Sequence, residues 1–289
     1  MVAIHVRMFA SAKHVVRRSI SATGAARRNE NAVPKKLPSL AWTRCHFKLS
    51  WYSILAATLW AVGSAEAGTA IILEQWSPKL YAIYQTYPQF HTKLAEYARK
   101  QGFRQPIEEM ATVLHEIIHI DSFVHNGFFV DGTYYEPYVS QGAWPALTNE
   151  QLAPHVLPHE RGIVYDAYVR RTPKNHFGNI IDEINAYGHV LPFVCEREPT
   201  STGKQVRNLI EFLRLAEVYL RTLRVLMPIE YQRLTVRAEA RGALVLIIER
   251  AWAALRQCGI ADAAIPADEA REFIANVRLT SATILLQKP

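Results

Sequence analysis

The sequence predicts a mainly α-helical protein with a small β part. Three observations carry this. Apolar residues recur at helical spacing through most of the chain after residue 204, and proline stands at helix-opening positions in the first half. A single Asp-Gly pair sits between aromatic and β-branched residues, which marks one hairpin. With 289 residues, 49% of them hydrophobic, the chain is long enough and apolar enough to bury a core rather than stay disordered. Residues 1–67 read as an N-terminal extension with a signal peptide, and 68–289 as one domain whose part from about 204 to 289 is helical.

In chain order, Ser77-Pro78 supplies an N-cap and a first-turn proline. Leu80, Tyr81, Tyr84, Phe90, Leu94 and Tyr97 then mark one or two helices, broken near Pro88 and ending at Gly102. Gln105-Pro106 opens the next helix. Glu108 and Glu109 fall where the helix dipole favours acids, and Ile107, Met110, Leu114, Ile117 and Ile118 form its apolar stripe. Phe128 to Tyr135 reads as the hairpin, turning at Asp131-Gly132. Residues 137–160, with Pro137, Pro145, Pro154 and Pro158, read mostly as loop. A short helix follows over Arg161 to Arg171, and another from about His176 to Val190, which Pro192 ends. After the loop at 198–203, helical patterns run from Val206 to Leu226 and from Ile229 to Gln257, and a last helix opens near Asp268.

His115-Glu116-Ile117-Ile118-His119 is the segment that carries chemistry. On a helix, residues i and i+4 lie one above the other, so both imidazoles reach one cation while Glu116 faces a water beside it. A catalytic zinc takes three protein ligands and keeps a fourth position open, so the motif needs a partner. Glu183, within Ile180-Ile181-Asp182-Glu183-Ile184-Asn185-Ala186-Tyr187, is the preferred one.

This pair of segments resembles the gluzincin metallopeptidases of the thermolysin-like clan, in which a second helix donates a glutamate and a small residue three positions on, here Ala186, lets the two helices pack. The likeness covers only the two motif helices. It implies a zincin-like active-site helix and a second ligand helix, to which the helical patterns after residue 204 add a C-terminal helical bundle. It also implies one Zn2+ per chain, held by His115, His119 and Glu183. Such peptidases place a strand ahead of the active helix. Here that segment reads helical, so the 128–135 hairpin would have to offer the edge that pairs with substrate. His125 is the rival third ligand, six residues after His119 as in the metzincins, although Ser122 stands where they have glycine and Met227 is the sole candidate for their methionine turn. Asp121, His155 and His159 remain further alternatives. Asp182 reads either as a solvated helix acid or as a partner to a ligand imidazole.

The resemblance implies hydrolysis of a peptide or protein substrate, with Glu116 as general base and then acid. For the donor that meets the developing oxyanion, His176 is the first choice and Tyr187 the second, with Tyr165 and Tyr168 behind them; His189 reads as structural. Two rival functions stay open. One is a zinc amidase acting on cell-envelope material. The other is a non-catalytic, metal-stabilised helical binding protein that uses the hairpin and Trp144-Pro145 as its contact surface.

The net charge of +7 does not imply a nucleic-acid partner, because ten of the 33 Lys and Arg residues lie in 1–67 beside only Glu30 and Glu66. Arg44 and Lys48, the apolar run Trp51 to Gly63 and Ala65-Glu66-Ala67 together make a secretory signal with cleavage near Gly68. Export to the periplasm or the outside is expected, with membrane contact only through that segment if uncleaved. The Arg-rich stretch 1–36 is most simply explained by translation starting near Val33 or Leu37. Cys195 and Cys258 then remain, either as a disulfide or as buried thiols.

Overall fold

Proline opens helix after helix in the computed structural model, at the first-turn position where its missing N–H leaves no bond unmade. Helix α1 spans Pro78–Thr86, α2 Pro88–Lys100 and α3 Pro106–Val124. Ser77 caps α1 by accepting from the Leu80 amide, and Gly102 ends the α2 segment with φ +87°, a value that glycine adopts without a side-chain clash. Described residues are 68–286 except 137 and 140–143, with the side chains of 238–240 and 278–286 left aside. The basic extension, the apolar run and the cleavage signature therefore lie outside the described residues. Among those described, no helix is long and apolar enough to cross a membrane.

Strands β1 (Phe128–Val130) and β2 (Thr133–Tyr135) pair antiparallel, with Phe129 opposite Tyr134. Asp131 and Gly132 both take positive φ, 53° and 89°, the tight-turn geometry that matches the strand twist. The described residues that follow, up to 160, are largely irregular, with the four-residue α4 (Asn149–Leu152) and two 3-10 turns among them. The helix expected over 161–171 is mostly a π-helical turn, Tyr165–Val169.

Helix α5 (Phe177–Arg197) is the centre of the molecule. It packs against α3, against α6 (Gly203–Leu226) and against α8 (Ala238–Gln257), so it is buried all round and carries apolar residues on every face. Here the structure corrects the expected end at Pro192. The helix passes through the proline and runs to Arg197, because Phe193 and Val194 are fully buried and Cys195 is tied to Cys258 by a disulfide. The single pattern from Ile229 to Gln257 is likewise two helices, α7 (Pro228–Val236) and α8, parted by extended backbone at Arg237. Helix α9 (Asp268–Leu286) closes the bundle, its first turn capped from α6 by Glu217, which accepts from the amides of Glu269 and Ala270. Among the described residues the protein is mainly helical with one small antiparallel sheet.

Candidate metal centre

Helix α3 enters under a Glu108 carboxylate that accepts from the Gln105 amide, then buries Leu114, Ile117 and Ile118. That stripe presses the helix on α5, and His115 and His119 face the junction beside it. Glu183 meets them from α5 and is 4% exposed. The contact edges are short. His115 Nε2 lies 3.1 Å from His119 Nε2 and 3.4 Å from Glu183 Oε2, and the third edge, from His119 Nε2 to Glu183 Oε2, is 3.9 Å. A triangle with those edges has a centre about 2.0 Å from each atom, the bond length of nitrogen and carboxylate oxygen to zinc-like ions. His115, His119 and Glu183 thus form a buried group that could hold a metal ion, and the donor set fits one.

The neighbouring carboxylate orients the site. Asp182 Oδ2 accepts from His119 Nδ1 at 2.7 Å and from the Tyr138 hydroxyl at 2.7 Å. With Nδ1 so committed, His119 turns Nε2 toward His115 and Glu183. Burial pulls the His119 imidazolium down, but Asp182, then Glu183 and Glu116, outweigh it and hold the group up at about 9. This electrostatic demand for a cation is the one a metal ion would satisfy. His115 is fixed by packing instead: its Nδ1 is buried with no hydrogen-bond partner among the described residues, and Tyr187 sits edge-on to its ring at 4.4 Å.

Beside the triad opens a narrow pocket, walled by His115 and Glu116 with Tyr97, Phe103, Tyr187 and Gln205. Glu116 is half-buried there. Burial, and then the charges of Glu183 and Glu116, push the Tyr187 hydroxyl well above the usual tyrosine range; the same charges act on Tyr97 after burial. Both phenols therefore keep their protons at neutral pH. Asn208 Nδ2 donates to Tyr187 Oη at 2.9 Å, which leaves the Tyr187 proton to donate elsewhere.

The other expected residues lie elsewhere. His176 does not line the pocket; it caps α5, accepting from the Gly178 amide through Nδ1, two helical turns before Glu183. His125 stands at the end of α3, part-exposed, bonded to the Asp121 carbonyl and stacked on Tyr134 at 4.1 Å. Asp121 is committed to the hydroxyls of Tyr87 and Tyr134, while His155 and His159 are exposed on the 3-10 turns. Tyr165 packs under Arg161, and the Tyr168 hydroxyl donates to the Asn179 carbonyl. His189 is buried, with Nδ1 on the Asn185 carbonyl and Nε2 accepting from Arg250.

One expectation about surfaces is narrowed and another corrected. The hairpin does not line the Glu116 pocket, and the outer edge of β1 is closed, because the Phe129 amide donates to Ser122 Oγ and its carbonyl accepts from Asn185. Trp144 is not a contact surface either: it is 5% exposed, edge-on to both Phe128 and Phe177. Conversely, Tyr97 and Gln205 are pocket residues that the sequence did not reveal, and so is the bond from Asn208 to the pocket's Tyr187. They stand on α2 and α6, and no spacing pattern links them to HEIIH.

Fold and site together define a mainly helical protein with a buried His-His-Glu group able to hold a metal. No protein-family model, curated protein or solved structure matches the chain.

Proposed function

We propose that this chain is an exported zinc-dependent metallopeptidase that hydrolyses peptide bonds, in the manner of the gluzincins it resembles. The observation that carries the reading is that Glu116 and His115 wall one pocket while His115 closes a ligand triangle with His119 and Glu183. A structural metal site has no need of a carboxylate on its open side. A set of two neutral imidazoles and one carboxylate is the donor chemistry of a catalytic zinc. Zinc held by these residues supplies Lewis acidity toward a water and toward the scissile carbonyl.

The chain's own residues account for the proton traffic and the charge. Glu116, next in the chain to His115, would take the proton of the attacking water on a carboxylate oxygen and return it to the leaving amine. Asp182 holds His119 through Nδ1, so that Nε2 is the atom that would ligate. The protonated hydroxyls of Tyr97 and Tyr187 line the pocket with Glu116 and would donate to the substrate oxygen as it turns negative, a role for which His176 lies outside that wall. The disulfide between Cys195 and Cys258 supports an oxidising compartment, in line with the expected export.

A pool of random-sequence peptides incubated with the zinc-loaded protein and read by mass spectrometry tests the reading. Cleavage that stops with chelator and with Glu116→Gln is expected. Intact peptides with a protein shown to hold zinc would overturn it.

A further inference from the structure

Gln205 is a polar side chain of the pocket whose hydrogen bonding is left open among the described residues. It is 3% exposed, yet it stands in the wall shared by His115, Glu116 and Tyr187, and its Oε1 has no hydrogen-bond partner among the described residues. Buried carbonyls are almost always paired in folded proteins, so this one calls for a reason.

The observed hydrogen bonds of its neighbours go elsewhere. Thr112 Oγ1, also in the wall, already donates to the Glu108 carbonyl. Lys204 turns the other way, with Nζ on the Gln101 carbonyl and over the Phe103 ring at 4.3 Å. Asn208, three residues on and hence on the same face of α6, spends its amide on Tyr187. Phe103, Ala111 and Val190 complete the wall with apolar surface. Helix α6 therefore brings two side chains to the site from its first turns. Asn208 bonds Tyr187, and Gln205 presents an acceptor that no described residue uses.

We infer that Gln205 is a substrate-reading residue, whose Oε1 accepts a hydrogen bond from a backbone N–H of a bound peptide. The inference rests on the peptidase reading of the same site. A neutral acceptor in an apolar wall suits a neutral donor, and every peptide carries such an N–H close to its scissile carbonyl. The helical C-terminal part thus enters the site rather than only supporting it.

The test uses the zinc-loaded full chain carrying Glu116→Gln, which retains the pocket without turnover, and a fluorescein-labelled random-sequence peptide pool read by anisotropy. Adding Gln205→Met is expected to weaken binding about 3- to 10-fold, the worth of one neutral hydrogen bond. Zinc content should be unchanged, and the melting temperature equal or higher, since an unpaired buried carbonyl is gone. Unchanged binding overturns the inference, and so does a lower melting temperature with lost zinc, which would make Gln205 structural. If wild-type protein cleaves no peptide but binding still depends on Gln205, the peptidase reading falls and this one stands. Absence of any peptide binding overturns both.

Discussion

His119 donates to Asp182 across 2.7 Å, and Asp182 is the chain neighbour of Glu183, so one stretch of α5 both completes the triad and aims one of its imidazoles. The two carboxylates point to different atoms of the same cluster. Asp182 Oδ2 lies on His119 Nδ1, while Glu183 Oε2 lies near both Nε2 atoms.

Replacing Asp182 by Asn keeps an oxygen for Tyr138 and His119 but removes the charge that makes His119 a stronger donor to metal. Zinc affinity is expected to fall about 10- to 100-fold, with the fold retained. Competition against a fluorescent chelator measures it. Affinity equal to wild type would mean that Asp182 does not tune the site.

Acid stability has an identifiable source away from the triad. Burial pulls His189 down to about 4, so the folded protein leaves it neutral while an unfolded chain protonates it near the usual value of about 6.5. Below that value the unfolded state binds the extra proton, and stability falls as pH drops from 6.5 to 4, by about 3 kcal/mol from this group. Denaturant midpoints of chelator-treated protein across that range should fall less steeply in His189→Gln. Parallel pH profiles would contradict the assignment.

The disulfide joins the end of α5 to the end of α8 across 63 residues of sequence. Substituting both cysteines by serine should lower the unfolding free energy by about 2–4 kcal/mol, seen as a lower denaturant midpoint under oxidising conditions. Under strong reductant wild type and variant should converge. An unchanged midpoint would show that α5 and α8 are held by packing alone.

Much of this site is legible in the sequence because helical geometry is local. HEIIH implies two stacked imidazoles as soon as Pro106 and the stripe from Ile107 to Ile118 imply a helix, and Glu183 stands out as an acid amid Ile180, Ile181 and Ile184 on a second one. What was not legible depends on where separate helices meet. Tyr97 looks like an ordinary core aromatic at helical spacing, and Gln205 like a first-turn residue of a surface helix. Only the packing of α2 and α6 around α3 and α5 puts both in one pocket. His176 failed for the opposite reason. Its spacing from Glu183 is helical, but it falls at the cap, where its ring nitrogen meets an amide. Pro192 misled because a local rule on helix breaking lost to the burial of Phe193 and Val194.

The central claim, that His115, His119 and Glu183 hold a catalytic zinc served by Glu116, is tested most directly by metal content. Wild type, Glu116→Gln, Glu183→Ala and His125→Ala would be purified, loaded with zinc, passed through a desalting column and read by elemental mass spectrometry. About one zinc per chain is expected in wild type, Glu116→Gln and His125→Ala, with loss in Glu183→Ala, in line with three protein ligands at a catalytic zinc. A folded wild type without zinc, or a Glu183→Ala protein that keeps it, would contradict the account.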